Sequence, residues 1–264
     1  VSSLCDSGFS VTAIDTNTEL VDKRANCLQL DIFDTNINVY QDLGFPEICL
    51  HLAWKNGFNH NSEDHINFLP KHYEFLRNMI GGGLPHLAVL GTMHEIGYWE
   101  GEVNDETPTN PKTLYGISKN TLRQILQEEA RVKNLRFQWL RAFYIIGNDS
   151  RNKSVFSRIL EFEKEGKATF PFTTGENKYD FITIEDLTRQ IIACISQTAI
   201  TGVINCCSGV PVSLREMVTR FLTENNLKIK PQYGAFPSRP YDSPAIWGNA
   251  ERINKILASN AKAE

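Results

Sequence analysis

The chain has 264 residues, of which 41% are hydrophobic and 22% are charged, a balance typical of folded globular proteins. Its net charge of −4, from 27 Lys+Arg against 31 Asp+Glu, argues against a nucleic-acid partner, which would require clustered positive charge. The longest apolar runs are far shorter than the ~20 residues of a membrane span, so no membrane partner is expected either.

Six cysteines are scattered along the chain without a C-x-x-C pair, which is typical of reduced, buried thiols in a cytoplasmic protein. The neighbours Cys206 and Cys207 would point to opposite faces of a strand, which makes them poor ligands for one metal ion. No metal site is predicted. The first residues have neither the basic nor the apolar region of a secretory signal.

Short apolar strands alternate with helices through the first two thirds of the chain. The predicted strands cover residues 9–14, 28–30, 47–52, 87–90 and 137–143, and the predicted helices cover residues 64–80 and 114–132. Strands separated by helices of this length form βαβ units, so we predict an α/β fold with a parallel sheet and helices on both faces.

The alternation of predicted strands and helices becomes less regular after Gly147. Helices are predicted at residues 155–165 and 214–223, strand pieces at 168–172, 181–184 and 203–207, and a proline-rich loop at 231–244.

Tyr115 and Lys119 stand four residues apart at the start of a predicted helix and therefore share one face. An ammonium group beside a phenol favours the phenolate, so Lys119 is expected to lower the pKa of Tyr115 and let it exchange protons near neutral pH. Thr92 follows the carboxyl end of the predicted strand 87–90, at the sheet edge where open α/β sheets bind ligands, and could hold a substrate oxygen. A surface helix pair and a simple strand-end cap remain the alternatives.

Asp15 ends the first predicted strand, and Asp31 with Ile32 follows the second. An acid at the end of such a strand accepts hydrogen bonds from an adenosine ribose and repels a 2′-phosphate, which favours NAD(H) over NADP(H). An ordinary cap or turn aspartate is the alternative.

These residues belong to a longer series of motifs. In chain order the series comprises residues 48–53, Asn67, 91–97, 110–119, 140–147, 180–186, 205–216, Arg239, Asp242 and Trp247. The series resembles the extended short-chain dehydrogenases/reductases, the NAD(P)-dependent epimerase/dehydratase group that acts on nucleotide sugars. The resemblance implies a Rossmann-type doubly wound sheet in residues 1–147 and 181–206, and a smaller substrate-binding α/β lobe in residues 148–180 and 207–264.

The resemblance also implies roles for individual residues. The implied catalytic residues are Thr92, Tyr115 and Lys119; the implied cofactor contacts are Asp15, Asp31, Ile32, Leu52, Ala53, Tyr115 and Lys119; the implied substrate contacts are Thr92, Met93, His94, Arg239 and Asp242. NAD(H) or NADP(H) is the expected cofactor, with NAD(H) slightly favoured.

The chain departs from the family pattern in several places. The glycine-rich turn is absent and residues 2–8 resemble the tail of the helix that follows it, so we expect a fragment with weak or no cofactor binding. Met93 and His94 stand where family dehydratases carry Asp-Glu, which disfavours dehydration because the acid is missing. His94 is then either an auxiliary acid/base or a hydrogen-bonded pocket residue. Tyr144 and Tyr179 replace an asparagine and an arginine, which suggests an altered grip on the substrate.

The predicted function is NAD(P)H-dependent reduction of a nucleotide-diphosphate 4-keto-6-deoxy sugar in deoxysugar or polysaccharide synthesis. A nucleotide-sugar 4-epimerase that retains its cofactor and a non-catalytic binding protein are the alternatives. The resemblance further implies a homodimer formed by the helices at 64–80 and 114–132, although the same helices could pack within one chain.

Overall fold

The computed structural model describes residues 1–147, 154–237 and 242–260. The strands are β1 Thr12–Asp15, β2 Asn26–Gln29, β3 Ile48–His51, β4 His86–Thr92, β5 Gly101–Val103, β6 Arg136–Ala142, β7 Tyr144–Ile146, β8 Thr169–Pro171, β9 Lys178–Thr183, β10 Gly202–Cys206, β11 Pro211–Ser213, β12 Lys230–Gln232 and β13 Ala245–Gly248. The helices are α1 Ser2–Asp6, α2 Val39–Asp42, α3 Asp64–Gly81, α4 Leu114–Lys133, α5 Val155–Lys164, α6 Ile184–Ile195, α7 Leu214–Glu224 and α8 Glu251–Asn260.

A four-stranded parallel sheet, in the order β10-β6-β4-β3, forms the centre of the fold. Side chains alternate across it: Leu87 and Val89 face a hydrophobic cluster shared with α3 and α4, whereas Ala88 faces a second cluster shared with α6 and α8. Both faces are therefore covered by helices, which explains why the strands read as continuous apolar runs. Strands β1 and β2 pair with each other in parallel. The predicted fold class is confirmed.

A second sheet, in the order β11-β9-β13-β5 with β7 beside β9, contains both parallel and antiparallel pairs. It packs with α5 and α7 around a third hydrophobic cluster. The buried Asp180 of β9 accepts hydrogen bonds from the backbone of Ser208, Gly209 and Gly248, and so joins three segments of this lobe.

Several sequence predictions for the last third need correction. Ile184 begins α6 instead of ending a strand, and α6 and α8 were not predicted at all. Residues 230–232, predicted as part of a loop from 231, form β12, an edge strand in which Pro231 is tolerated because the sheet has only two strands.

The predicted division into two lobes remains a prediction, and α8 departs from it. Ile253 and Ile256 of α8 pack in the cluster beneath the four-stranded sheet, although residues 207–264 were assigned to the smaller lobe. The neighbours Cys206 and Cys207 lie in different clusters, as expected for adjacent residues at the end of a strand. Within the described residues, no helix has the length and apolar character needed to cross a membrane.

Candidate active site

The end of β4 and the start of α4 bring the three predicted catalytic residues together. Thr92 ends β4 and its hydroxyl is hydrogen-bonded to the phenol of Tyr115, in the first turn of α4. A Cβ at Gly116 would lie 2.5 Å from the carbonyl oxygen of His94, so only glycine allows α4 to approach the turn that follows Thr92 this closely.

Lys119 is buried one turn further along α4, at 2% exposure. Its Nζ donates a hydrogen bond of 2.8 Å to the carbonyl oxygen of Leu90 and lies 4.1 Å from the centre of the Trp54 ring. Burial lowers the pKa of Lys119 to about 7, against the opposing effect of the Glu95 carboxylate. The ammonium is thus held by a carbonyl and an aromatic face and is poised to lose its proton near neutral pH.

The phenol of Tyr115 does not have the lowered pKa that the sequence predicted. Burial raises its pKa to about 12, the hydrogen bond from Thr92 opposes that rise, and the Glu95 carboxylate adds to it. The prediction was wrong because it assumed a fully charged lysine beside an accessible phenol, whereas both groups are buried. Tyr115 is therefore protonated at neutral pH.

Three histidines surround Tyr115. The ring of His60 stacks on the phenol at 5.3 Å between centroids with a 16° interplanar angle, and the rings of His65 and His94 lie 5.3 and 6.0 Å away. His94 also contacts His60 at 4.3 Å and the half-buried Tyr144 at 5.9 Å. Burial, with a smaller contribution from His60, lowers the pKa of His94 to about 3, so its imidazole is neutral at physiological pH.

The loop that carries His60 also caps α4. The carbonyl oxygen of His60 accepts a 2.9 Å hydrogen bond from the amide of Tyr115, and the Asn61 side chain accepts one of 3.3 Å from Leu114. Thr113 supplies the remaining cap by accepting from the amide of Gly116 at 3.2 Å. These bonds satisfy amides that a helix start leaves unpaired, and they fix the histidine loop to the helix of Tyr115.

Both ring nitrogens of His65 are committed to hydrogen bonds. Its Nδ1 accepts from the indole N–H of Trp54 at 3.1 Å, and its Nε2 donates to the carbonyl oxygen of Asn59 at 2.8 Å. Because an indole can only donate and a carbonyl can only accept, His65 is the neutral Nε2–H tautomer. His65 therefore anchors Trp54 over Lys119.

Two further histidines, His51 and His72, lie next to Trp54. His72 stacks on the indole with 4.5 Å between centroids, and its Nδ1 lies 3.1 Å from Nε2 of His51. Burial is the main cause that lowers the pKa of both imidazoles, and that of His72 falls to about 3. Trp54 thus contacts two neutral imidazoles, those of His65 and His72, and the Lys119 ammonium.

Glu95 lies beneath the site with no exposed surface. Its carboxylate accepts from the Arg141 guanidinium and from the indole of Trp139 at 2.9 Å, and Arg123 lies 3.6 Å away. The carboxylate next to His94 in sequence is therefore already paired with Arg141 and Trp139.

The predicted cofactor residues lie at the carboxyl ends of β1, β2 and β3. Asp15 is exposed, and its carboxylate accepts from the amide of Asn17 at 3.1 Å. Asp31 caps a short helical turn through Phe33. Ile32 packs against the core, and Leu52 and Ala53 are exposed.

These residues fit a dinucleotide. An exposed carboxylate suits ribose hydroxyls, exposed apolar residues at a strand end suit a flat ring, and all of them stand at the sheet edge that binds nucleotides in such folds.

Only some of the predicted substrate residues lie at the site of Thr92 and Tyr115. Met93 is buried at 5% exposure in the cluster of the second lobe, and His94 lies against Tyr115 as described above. Asp242 is half-buried, and Arg239 lies outside the described residues. The rings of Tyr144 and Tyr179 lie 4.5 Å apart between centroids and are tilted by 47°, so an aromatic cluster stands where polar contacts were expected from the resemblance.

Sequence reasoning missed four residues of this site: Trp54, His60, His65 and Glu95. Trp54 directly follows the predicted cofactor contact Ala53, which was the available signal. His60 sits in the loop before α3 and His65 in the first turn of α3, and neither belongs to a motif, so their proximity to Tyr115 depends on how these segments dock.

Comparison with known proteins identifies the family. The model of the NAD dependent epimerase/dehydratase family matches residues 1–207. The chain belongs to this family. Among curated members, dTDP-6-deoxy-L-talose 4-dehydrogenase (NAD(+)) of Aggregatibacter actinomycetemcomitans is 49% identical over 203 residues, which make up 76% of this chain and 75% of the relative.

Solved structures of similar proteins share the fold. MoeE5 in complex with UDP-glucuronic acid and NAD superposes with a TM-score of 0.82 at 20% identity, covering 97% of this chain and 87% of that one. UDP-glucose 4-epimerase of Thermotoga maritima superposes equally well at 0.82, with 19% identity and the same coverage.

The predictions of the family, of an α/β fold with parallel sheets and of an NAD-dependent enzyme are confirmed. The roles of the individual site residues remain predictions.

Proposed function

We propose that this protein catalyses the NAD-dependent interconversion of a hydroxyl and a ketone at C4 of a nucleotide-diphosphate 6-deoxyhexose, and that it works in the direction of reduction. The observation that carries the proposal is the meeting of Thr92, Tyr115 and Lys119 at the end of β4. The 49% identical relative, named as a 4-dehydrogenase of a dTDP-6-deoxy sugar, supports the position and the class of sugar.

The protonation state of the site favours reduction. A phenol with a pKa of about 12 holds its proton at neutral pH and can give it to an oxygen that is gaining negative charge. Tyr115 would protonate the C4 oxygen while Thr92 holds that oxygen beside the phenol. Lys119 would contact the cofactor ribose, and Asp15, Leu52 and Ala53 would hold the rest of the dinucleotide. When bound, NAD supplies or accepts the hydride.

Dehydration is disfavoured by the residues that follow Thr92. His94 is neutral, with a pKa of about 3, and Glu95 is buried in its pair with Arg141. Neither side chain can act as the carboxylic acid that would protonate a leaving hydroxyl group.

A turnover assay tests the proposal. A nucleotide-diphosphate 4-keto-6-deoxy sugar is incubated with excess NADH, and NADH oxidation is followed by its absorbance. We expect one NADH oxidised per sugar reduced, and we expect Tyr115→Phe to lower kcat by about 10²–10⁴-fold. Tyr98→Phe, which alters an exposed tyrosine outside the site, is the matched control and should retain full activity.

Each contrary result points to a named alternative. Sugar conversion with no net oxidation of NADH would identify a 4-epimerase with retained cofactor. Nucleotide-sugar binding without any turnover by the unchanged protein would identify a binding protein and overturn the proposal.

We further propose a cytoplasmic homodimer that joins through α3 and α4. The two helices are already linked by the hydrogen bond from Tyr73 to Glu129, of 3.0 Å, and Ile117 and Val132 of α4 are 41% and 66% exposed. All six cysteines are free thiols, in keeping with a reducing compartment. Light scattering after gel filtration should give twice the monomer mass, and Val132→Glu should shift it toward the monomer. A monomeric unchanged protein would refute the dimer.

A further inference from the structure

We propose that Trp54 is a positioning residue of this site: its indole ring, held in place by His65, supports the buried ammonium of Lys119 in its charged form. The role of this contact in turnover rests on the proposed function, in which the charge of Lys119 offsets the negative charge that Tyr115 keeps after it gives up its proton. The contact itself can be measured without turnover.

The Trp54 ring contacts two residues of α4 that stand one turn apart. Nζ of Lys119 lies over the indole, 4.1 Å from the centre of the ring, and the ring of Tyr115 lies 6.2 Å away between centroids at an angle of 69°. A cation over an aromatic face is attracted by the negative charge of the π system, and the attraction is stronger where water is excluded. Because Lys119 is only 2% exposed, this contact has the stronger form.

The other surroundings of Lys119 give its charge little support. Its Nζ donates 2.8 Å to the neutral carbonyl oxygen of Leu90, and the Glu95 carboxylate, which favours the charged form, is already shared with the guanidinium of Arg141. Burial accordingly lowers the pKa of Lys119 to about 7. An aromatic face stabilises an ammonium without bringing in a second charge, so Trp54 is placed to keep Lys119 charged near neutral pH.

The indole is fixed in this orientation by its own contacts. Its N–H donates to Nδ1 of His65 at 3.1 Å, and the ring of His72 stacks on it with 4.5 Å between centroids and 7° between planes. His65 is fixed in turn, since it is 1% exposed and its Nε2 donates to the carbonyl oxygen of Asn59 at 2.8 Å. The indole therefore cannot rotate away from Lys119 without breaking a buried hydrogen bond and leaving its polar groups unpaired.

The titration of Lys119 measures the contact directly. The lysines are labelled with ¹³C at Cε, the Lys119 signal is assigned with Lys119→Met, and its chemical shift is followed by NMR between about pH 5 and pH 11. Trp54→Leu removes the aromatic face but keeps an apolar side chain that excludes water. We expect it to raise the acid dissociation constant of the ammonium about ten-fold and so to lower its pKa. Trp54→Phe keeps an aromatic face, should change the constant less than about three-fold, and serves where the leucine variant folds poorly.

Titratable or charged groups surround Lys119 on every element packed around it. They are Glu95 after β4, His51 of β3, His72 of α3, and Tyr115 and Arg123 on α4. All of them are present in both Trp54 variants, so a difference between those variants reports the aromatic face.

Two variants of His65 test whether this residue holds the indole. His65→Leu removes the acceptor of the indole N–H and should change the titration of Lys119 in the same direction as Trp54→Leu, by about three-fold. His65→Asn keeps an acceptor near the position of Nδ1 and should restore the titration of the unchanged protein.

Phe137→Leu is the matched control. It removes an aromatic ring from the same hydrophobic cluster, at a point on β6 that pairs with Leu87 of β4, three residues before the carbonyl of Leu90 that binds Lys119. We expect this variant to leave the titration of Lys119 unchanged.

The same change should appear in the pH dependence of turnover. The pKa of Tyr115 is about 12 and that of His72 and His94 is about 3, so these groups keep one form near neutral pH, where Lys119 loses its charge. Since removal of the aromatic face lowers the pKa of Lys119, the alkaline fall of kcat/KM for NADH should begin at lower pH in Trp54→Leu. A purely structural role of Trp54 would instead lower kcat/KM equally at every pH.

The outcomes separate this inference from the proposed function. An unchanged titration of Lys119 in Trp54→Leu, or an equal change in Phe137→Leu, would overturn the inference. A pKa of Lys119 that rises in Trp54→Leu would also overturn it, because the indole would then act only by excluding water. Failure of the unchanged protein to oxidise NADH with the 4-keto sugar would overturn the proposed function and the role of the contact in turnover, whereas the titration would still decide whether Trp54 supports the ammonium.

Discussion

Acidification should destabilise the folded protein through His72, and the effect can be calculated. Its imidazole is 1% exposed, stacks on Trp54 and has a pKa of about 3 in the fold against 6.5 in the unfolded chain. Because the folded pKa is the lower one, the unfolded chain binds the extra proton, and the stability present above pH 6.5 is lost as the pH falls toward 3. Between pH 7.5 and pH 5 the loss from this residue alone is about 2 kcal/mol.

Urea unfolding of the unchanged protein and of His72→Asn at both pH values measures this loss. Asparagine can still hydrogen-bond with His51 but does not titrate. His51 is present in both proteins, and because burial is the main cause of its lowered pKa, most of its own contribution cancels. We expect the variant to be the less stable protein at pH 7.5, with a difference that shrinks by about 2 kcal/mol at pH 5. A difference that stays constant within about 0.5 kcal/mol would refute the neutral buried imidazole.

Three further predictions concern a turn, a buried ion pair and the cofactor. Gly97→Ala should lower the free energy of unfolding by about 2 kcal/mol or more in urea titrations, because Gly97 has a φ of +78° and a Cβ there would lie 2.0 Å from the carbonyl oxygen of Asn110. An unchanged unfolding midpoint would contradict this geometry. Glu95→Gln should lower the free energy of unfolding by about 3 kcal/mol, because it leaves the charge of Arg141 uncompensated. It should also lower the pKa of Lys119 further, which would appear as a shift of the kcat pH profile to lower pH. Asp15→Asn should raise the kcat/KM ratio for NADPH over NADH about 10-fold, because a carboxylate no longer repels the 2′-phosphate; an unaltered ratio would place Asp15 outside the cofactor site.

The local sequence was sufficient to predict the strand and the helix that carry the candidate catalytic residues. The strand ending at Thr92 and the helix that begins before Tyr115 were predicted within a few residues, because both have strong apolar periodicity and clear end signals. The short strands of the second lobe were harder to find. Three-residue strands such as β11 and β12 have too little periodicity to be recognised, and they exist because a neighbouring segment supplies their hydrogen bonds.

The chain's own residues thus determined the family, through motifs along its length, and the parallel sheet, through alternating strands and helices. The placing of Tyr115 and Lys119 on one face of α4 also follows from their spacing. Only the tertiary structure decided the protonation of the site. Burial raised the pKa of Tyr115 and lowered that of Lys119, the reverse of what the lysine–tyrosine pair alone predicts. Two of the histidines around the phenol, His60 and His65, were likewise not predicted from the sequence. They come from the loop before α3 and the first turn of α3, and desolvation and the docking of these segments depend on packing among residues that are distant along the chain.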